Sequence, residues 1–226
     1  MAEQLHVKTS GEGDSNVVLL HGLFGSGNNL GQISRGLKQD HRVHSIDLPD
    51  HGRSDWLPQA SIQGYARCVA AWMDHQQLIN CCVIGHSLGG KVAMQLAVNR
   101  PELIQRLVIL DISPMAYTVR RHDHIFAGLN AVKVARVKTR SDARKVLLEH
   151  VDEPSVADFL LTSAYTDEFG VIDWRFNLAQ LETDYRQMLS GIEVQEASGL
   201  PCQIPSLVVR GADSGYVPKT TKQDFA

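Results

Sequence analysis

Cys81-Cys82-Val83-Ile84-Gly85-His86-Ser87-Leu88-Gly89-Gly90-Lys91 reads as an apolar run, then a serine flanked by glycines, then the first turn of a helix. Cys81–Ile84 has the length and bounds of a buried strand, and Leu88, Val92 and Leu96 fall on one face of a helix expected over Leu88–Asn99. A serine held between two such elements sits in a sharp strand-to-helix turn. Gly85 and Gly89 must be small, because side chains two positions either side of that serine would collide. The start of the helix then points amide hydrogens at whatever Ser87 binds. Ser87 is therefore a candidate nucleophile, and the amide of Leu88 a candidate donor to an oxyanion.

The same alternation recurs on both sides. Short apolar runs at Val17–Leu20, Val43–Ile46, Leu107–Leu110 and Ser206–Val209 end in turn residues, and helical periodicity follows most of them, as with Tyr65, Val69, Trp72 and Met73. Strand alternating with helix predicts a mostly parallel, doubly wound α/β sheet. Between about Met115 and Gln195 the rhythm breaks into helical patterns (Ile125, Phe126, Leu129; Val156, Phe159, Leu160; Leu178, Leu181, Tyr185, Met188) without a clear buried strand. This predicts a helical cap over 115–195 inserted into a core made of 1–114 and 196–226. Pro154 fits a first helical turn, and Gly170 and Gly191 fit breaks.

With 226 residues, 43% hydrophobic and 21% charged, the chain suits one domain with a full core. A net charge of −3 gives no broad field for nucleic acid or anionic lipid. The start, Met-Ala-Glu-Gln-Leu-His, has no basic stretch before an apolar run, and no segment is apolar for long enough to cross a bilayer. A cytoplasmic location, with no nucleic-acid or membrane partner, is expected. Cys68, Cys81, Cys82 and Cys202 lack C-x-x-C spacing and read as buried reduced thiols.

A second oxyanion donor should come from the loop after Val17–Leu20, where His21-Gly22-Leu23-Phe24-Gly25 supplies flexible backbone. The Leu23 amide is the candidate, and His21 is expected to brace the loop.

Taken together, these residues resemble the α/β-hydrolases, and more narrowly the small bacterial esterases of the YbfF type and their mitochondrial relatives. The resemblance rests on His21–Ser26, on Asp47-Leu-Pro-Asp50-His51-Gly52-Arg-Ser54, on Gly85–Lys91, on Asp111-Ile-Ser-Pro114, on Arg120-Arg121-His122-Asp123 and on Trp174-Arg175-Phe176-Asn177. It implies hydrolysis of carboxylic esters or acyl thioesters through an acyl-enzyme, without metal or organic cofactor, in a monomer or homodimer. A catalytically dead binding protein, or a C–C hydrolase or lyase on the same fold, is the alternative.

Two positions compete to orient the triad histidine. Most of the superfamily places a carboxylate three residues after a glycine that here is Gly211, but Ser214 stands in that slot and Asp213 one residue early. Asp111, ending Leu107–Leu110, is a second place from which a carboxylate reaches that histidine in some relatives. Chain order puts the histidine after the acid, yet His6, His21, His41, His44, His51, His75, His86, His122, His124 and His150 all precede Ser214. The base is therefore expected beyond Ala226, in a chain that reads as truncated. His86 is expected to line the pocket, and Arg120, Arg121, His122 and His124 to form a solvated charged face, with a subsidiary role for the arginines toward an acidic thioester. Phe24, Phe159, Trp174 and Met188 are candidate pocket walls between cap and sheet.

Overall fold

The computed structural model describes residues 4–193 and 203–217. Among these residues the main sheet has six strands in the order β1-β3-β2-β4-β5-β8. They are β1 (Val7–Ser10), β2 (Ser15–Leu20), β3 (His41–Ile46), β4 (Cys81–His86), β5 (Ile104–Leu110) and β8 (Ser206–Val209). β2 to β5 and β8 run parallel, as the alternating pattern predicts. β1 is an addition: it pairs antiparallel with β3 at the edge, and its half-polar sequence Val-Lys-Thr-Ser carries no buried-strand signature.

Alternate residues of β2 divide between two cores. Val17 and Leu19 pack with Val43, Ile84 and the flanking residues Ile33 and Leu37 of α1 (Gly31–Leu37). Val18 and Leu20 face the larger cluster, which includes Tyr65, Val69 and Met73 of α2 (Ile62–His75) and Val92 and Leu96 of α3 (Leu88–Asn99). Strand period and helix period thus meet in one sandwich. Ser61 caps α2, its hydroxyl accepting from the Gly64 amide at 3.0 Å. α3 is buried from Leu88 to Ala97.

Between β5 and β8 lie α4 (Asp123–Ala135), α5 (Arg140–Leu148), α6 (Pro154–Leu161), the short antiparallel pair β6 (Ala164–Thr166) and β7 (Ile172–Trp174), α7 (Leu178–Thr183) and α8 (Tyr185–Met188). Pro154 opens α6, and Gly170 takes φ 73° in the turn joining β6 to β7. That hairpin was not expected, because three-residue strands leave too little alternation to read. Among the described residues β8 pairs only with β5 and forms an edge of the sheet, where Leu207 and Val209 are 58% and 46% exposed. Cys81 is buried, whereas Cys68 and Cys82 are only half-buried, short of the full burial expected, and Cys202 lies outside the described residues.

Candidate active site

The parallel strands end in register. Leu20 lies beside Gly85, His86 beside Leu110, and Leu110 beside Val209. The loops that follow therefore emerge at one edge of the sheet, where ligands bind in open α/β folds. Ser87 is the first residue after β4, at φ 51° and ψ −118°, a backbone state a non-glycine residue keeps only under constraint. Its amide donates to the Leu110 carbonyl at 3.0 Å. The glycine requirement is physical: a Cβ on Gly85 would lie 2.2 Å from the Gly89 oxygen, and one on Gly89 would lie 2.2 Å from the Leu20 oxygen.

The loop after β2 rests against this elbow, since a Cβ on Gly22 would lie 3.3 Å from Ser87 Cβ. Two buried histidines shape it. His21 Nδ1 donates to the Gly22 carbonyl at 2.8 Å and its Nε2 accepts from the Leu48 amide at 3.0 Å. His51 Nδ1 donates to the Pro49 carbonyl at 2.8 Å, while its Nε2 accepts from the Phe24 amide at 3.2 Å. Burial lowers the His21 pKa to about 4 and that of His51 to about 3, so both rings are neutral and each uses one nitrogen to accept. With the Phe24 amide thus engaged, the Leu23 and Leu88 amides have no acceptor among the described residues.

Asp111 follows β5 directly and, like Ser87, has a left-handed φ, here 57°. Its Oδ1 accepts from the Gly211 amide at 2.9 Å. Ser214 stands against the same glycine, but its hydroxyl accepts from the Tyr216 amide at 3.1 Å. Asp213 is exposed. The loop is stiffened by Arg210, whose guanidinium donates to the carbonyls of Ala212, Ser214 and Val217. The inserted segment holds it from outside: Tyr117 donates its hydroxyl to the Tyr216 carbonyl at 2.8 Å, and Arg121 donates to the Gly215 carbonyl at 3.1 Å.

A cavity of about 530 Å³ opens over these loops, lined by both Ser87 and Asp111. Leu23, Phe24, His86 and Phe159 also line it, together with Ile125, Val156 and Leu160, which were not singled out from sequence. Ser214 is not on its wall, and neither are Trp174 and Met188. The expectation for those last two fails because an apolar residue at helical spacing looks the same in a core as in a pocket wall. Trp174 stacks on Phe176 at 5.7 Å and donates its indole N–H to the Leu129 carbonyl at 3.2 Å, and Met188 is buried in the main core.

The charged run is solvated in part, as expected: Arg121, Asp123 and His124 are exposed and Arg120 pairs with Asp123 at 2.8 Å, but Arg121, His122 and His124 also line the cavity. His122 stacks on Tyr216 and contacts the hydroxyls of Tyr185 and Tyr216 through its two nitrogens. Burial holds its pKa near 4. His86 opens into the cavity, and desolvation lowers its pKa against the opposing pull of Asp111. Among the described residues no group of three His, Cys, Asp or Glu stands together as a metal site, and no helix is long and apolar enough to cross a membrane.

Parallel sheet, strained serine elbow and facing amide loop together define an α/β-hydrolase. The family model for the alpha/beta hydrolase fold matches residues 16–226, and the chain belongs to that family. It is 36% identical over 212 residues to esterase YbfF of Escherichia coli K12, covering 94% of this chain and 80% of that protein. To the sn-1-specific diacylglycerol lipase ABHD11 of Mus musculus it is 34% identical over 208 residues, spanning 89% of this chain and 66% of the relative. Among solved structures, a marine microorganism esterase superposes with a TM-score of 0.90 at 29% identity, over 98% of this chain and 85% of that one.

Proposed function

We propose that this chain is a serine esterase that cleaves carboxylic esters or acyl thioesters through an acyl-enzyme on Ser87. The observation that carries this is the meeting of Ser87 and Leu23 at the wall of one cavity, with Leu88 next in the chain to Ser87 and neither leucine amide having an acceptor among the described residues. Ser87 Oγ gives its proton to a general-base imidazole as it attacks the carbonyl carbon, and the carbonyl oxygen, now an anion, takes hydrogen bonds from the two amides. Collapse of that intermediate breaks the bond to the leaving group, which takes that proton and departs as alcohol or thiol; water, deprotonated by the same imidazole, then attacks the acyl-enzyme, and Ser87 leaves with the proton as the acid is released. The segment 115–193 serves as a cap. Its apolar residues Ile125, Val156, Phe159 and Leu160 receive the acyl group, and Arg121 and His124 stand with Asp152 and Glu153 on the polar remainder of the wall.

Asp111 rather than Ser214 is assigned the orienting role, because its carboxylate lies on the cavity wall and an anion stabilises an imidazolium better than a hydroxyl does. The role of the imidazole it orients needs an unengaged ring nitrogen, and His21, His51 and His122 have both nitrogens engaged. The relatives' names, esterase and lipase, agree with ester chemistry.

The test is labelling with a fluorophosphonate, followed by peptide mapping, on the wild type and Ser87→Ala. Label on the peptide containing Ser87, absent in the variant, is the expected result. A protein that takes no label and hydrolyses neither p-nitrophenyl esters nor acyl thioesters overturns the proposal in favour of a binding role.

A further inference from the structure

Lys91 lies one turn into α3, is 1% exposed, and has no part in the chemistry proposed above. A buried ammonium is costly unless its protons are taken up. No carboxylate pairs with it among the described residues, and desolvation lowers its pKa to about 8. Its protons go instead to the carbonyls of Met115, at 2.8 Å, and Ser190, and its charge sits 4.7 Å from the centre of the Tyr117 ring. These three residues belong to the two stems by which the segment between β5 and β8 leaves and rejoins the core. The stems are cross-linked: the Tyr117 amide donates to the Leu189 carbonyl at 2.8 Å, and the Ile192 amide to the Pro114 carbonyl at 2.9 Å.

One turn further along α3, Gln95 is equally buried. It donates to the Glu193 carbonyl at 3.0 Å and accepts from the Glu193 amide at 2.9 Å. Beside the neck opens a second cavity, of about 290 Å³, bordered by Tyr117, Leu189 and Ser190. Tyr117, Leu189 and Ile192 of the neck also pack against the main core, and the bonds from α3 add directional polar fixation to that apolar contact.

We infer that Lys91 and Gln95 are positioning residues that fix the neck of the cap to the helix beginning at Ser87, and so set the cavity's helical wall over the nucleophile. Substrates that fill the cavity depend on this clamp, and small ones do not. The kinetic part rests on the esterase reading, whereas the structural part does not.

The experiment compares wild type, Lys91→Met and Gln95→Met by amide hydrogen exchange and by kinetics on acetyl and octanoyl p-nitrophenyl esters. In Lys91→Met, exchange at the Tyr117 and Ile192 amides should rise roughly tenfold or more. KM for the octanoyl ester should rise roughly tenfold, with kcat for the acetyl ester within about threefold of wild type. Neck amides that exchange as in the wild type overturn the inference, as does an equal loss of kcat on both esters. Should Lys91→Met not fold, Gln95→Met decides by the same readouts. If the wild type takes no label at Ser87 the esterase reading falls, and exchange alone then tests the clamp.

Discussion

Ser87 and Asp111 end neighbouring strands, both with positive φ, and each amide donates to the last carbonyl of the next strand, Leu110 for Ser87 and Val209 for Asp111. The ladder is thus carried one residue past each strand while the chain turns, which projects both side chains at the sheet edge. Non-glycine residues hold such a backbone only where the surroundings over-determine it. From sequence, the glycines around Ser87 make this visible, but nothing adjoining Asp111 does, so it could not be separated there from Ser214. In the structure Asp111 lines the cavity and Ser214 does not, and the assignment proposed on that ground has a measurable consequence. Asp111→Asn should lower kcat/KM roughly a thousandfold or more, as loss of an orienting carboxylate does, and Ser214→Ala only severalfold. The reverse order, in steady-state kinetics on one ester, would return the role to Ser214.

The motifs Asp47–Ser54 and Trp174–Asn177 lie far apart in sequence and meet in a buried knot at Asp50. Its carboxylate accepts from the Tyr65 hydroxyl at 2.8 Å, the Leu57 amide at 3.1 Å and Asn177 Nδ2 at 3.2 Å, and its carbonyl accepts from the Asn177 amide at 2.9 Å. Burial raises the Asp50 pKa against these bonds. The same loop carries His51, which holds the Phe24 amide, so the knot ties cap, core helix α2 and the loop of Leu23 together. Asp50→Ala leaves three donors without their partner and should cost about 3 kcal/mol, judged from the penalty for unsatisfied buried groups. Asp50→Asn, which keeps an acceptor oxygen, should recover part of it. Urea unfolding of the three proteins checks this, and equal stabilities would show that the knot carries no weight. The elements themselves were legible where periodicity was long, as in α2, α3 and the parallel strands. β1 and the β6–β7 hairpin were not, because they are short or half-polar. Trp174 and Met188 were misplaced for a related reason: periodicity reports burial but not what a residue is buried against.

Across the whole molecule, several histidines are held neutral by burial, His21 and His122 with pKa lowered to about 4 and His51 to about 3, from an ordinary value of 6.5. The unfolded chain binds protons at these positions below about pH 6.5, and the folded chain does not until far lower. Stability therefore rises with pH wherever the unfolded state holds the extra protons. The contribution is complete above pH 6.5 and drains away as pH falls toward about 4. A shift of two units is worth roughly 3 kcal/mol at the bottom of that window, and His21 and His51, 5.2 Å apart, act on the same loop. Acidification should thus loosen the loop of Leu23 before it unfolds the sheet. The expected result is a urea midpoint that declines steadily from pH 7 to pH 4.5, with exchange at the Leu23 and Phe24 amides rising first. In His51→Gln, which offers an oxygen to the Phe24 amide but does not titrate, stability at pH 7 should be lower and the decline shallower. A midpoint flat across this range would mean that these rings are not kept neutral by the fold, and the account of how His21 and His51 leave the Leu23 amide open would fail with it.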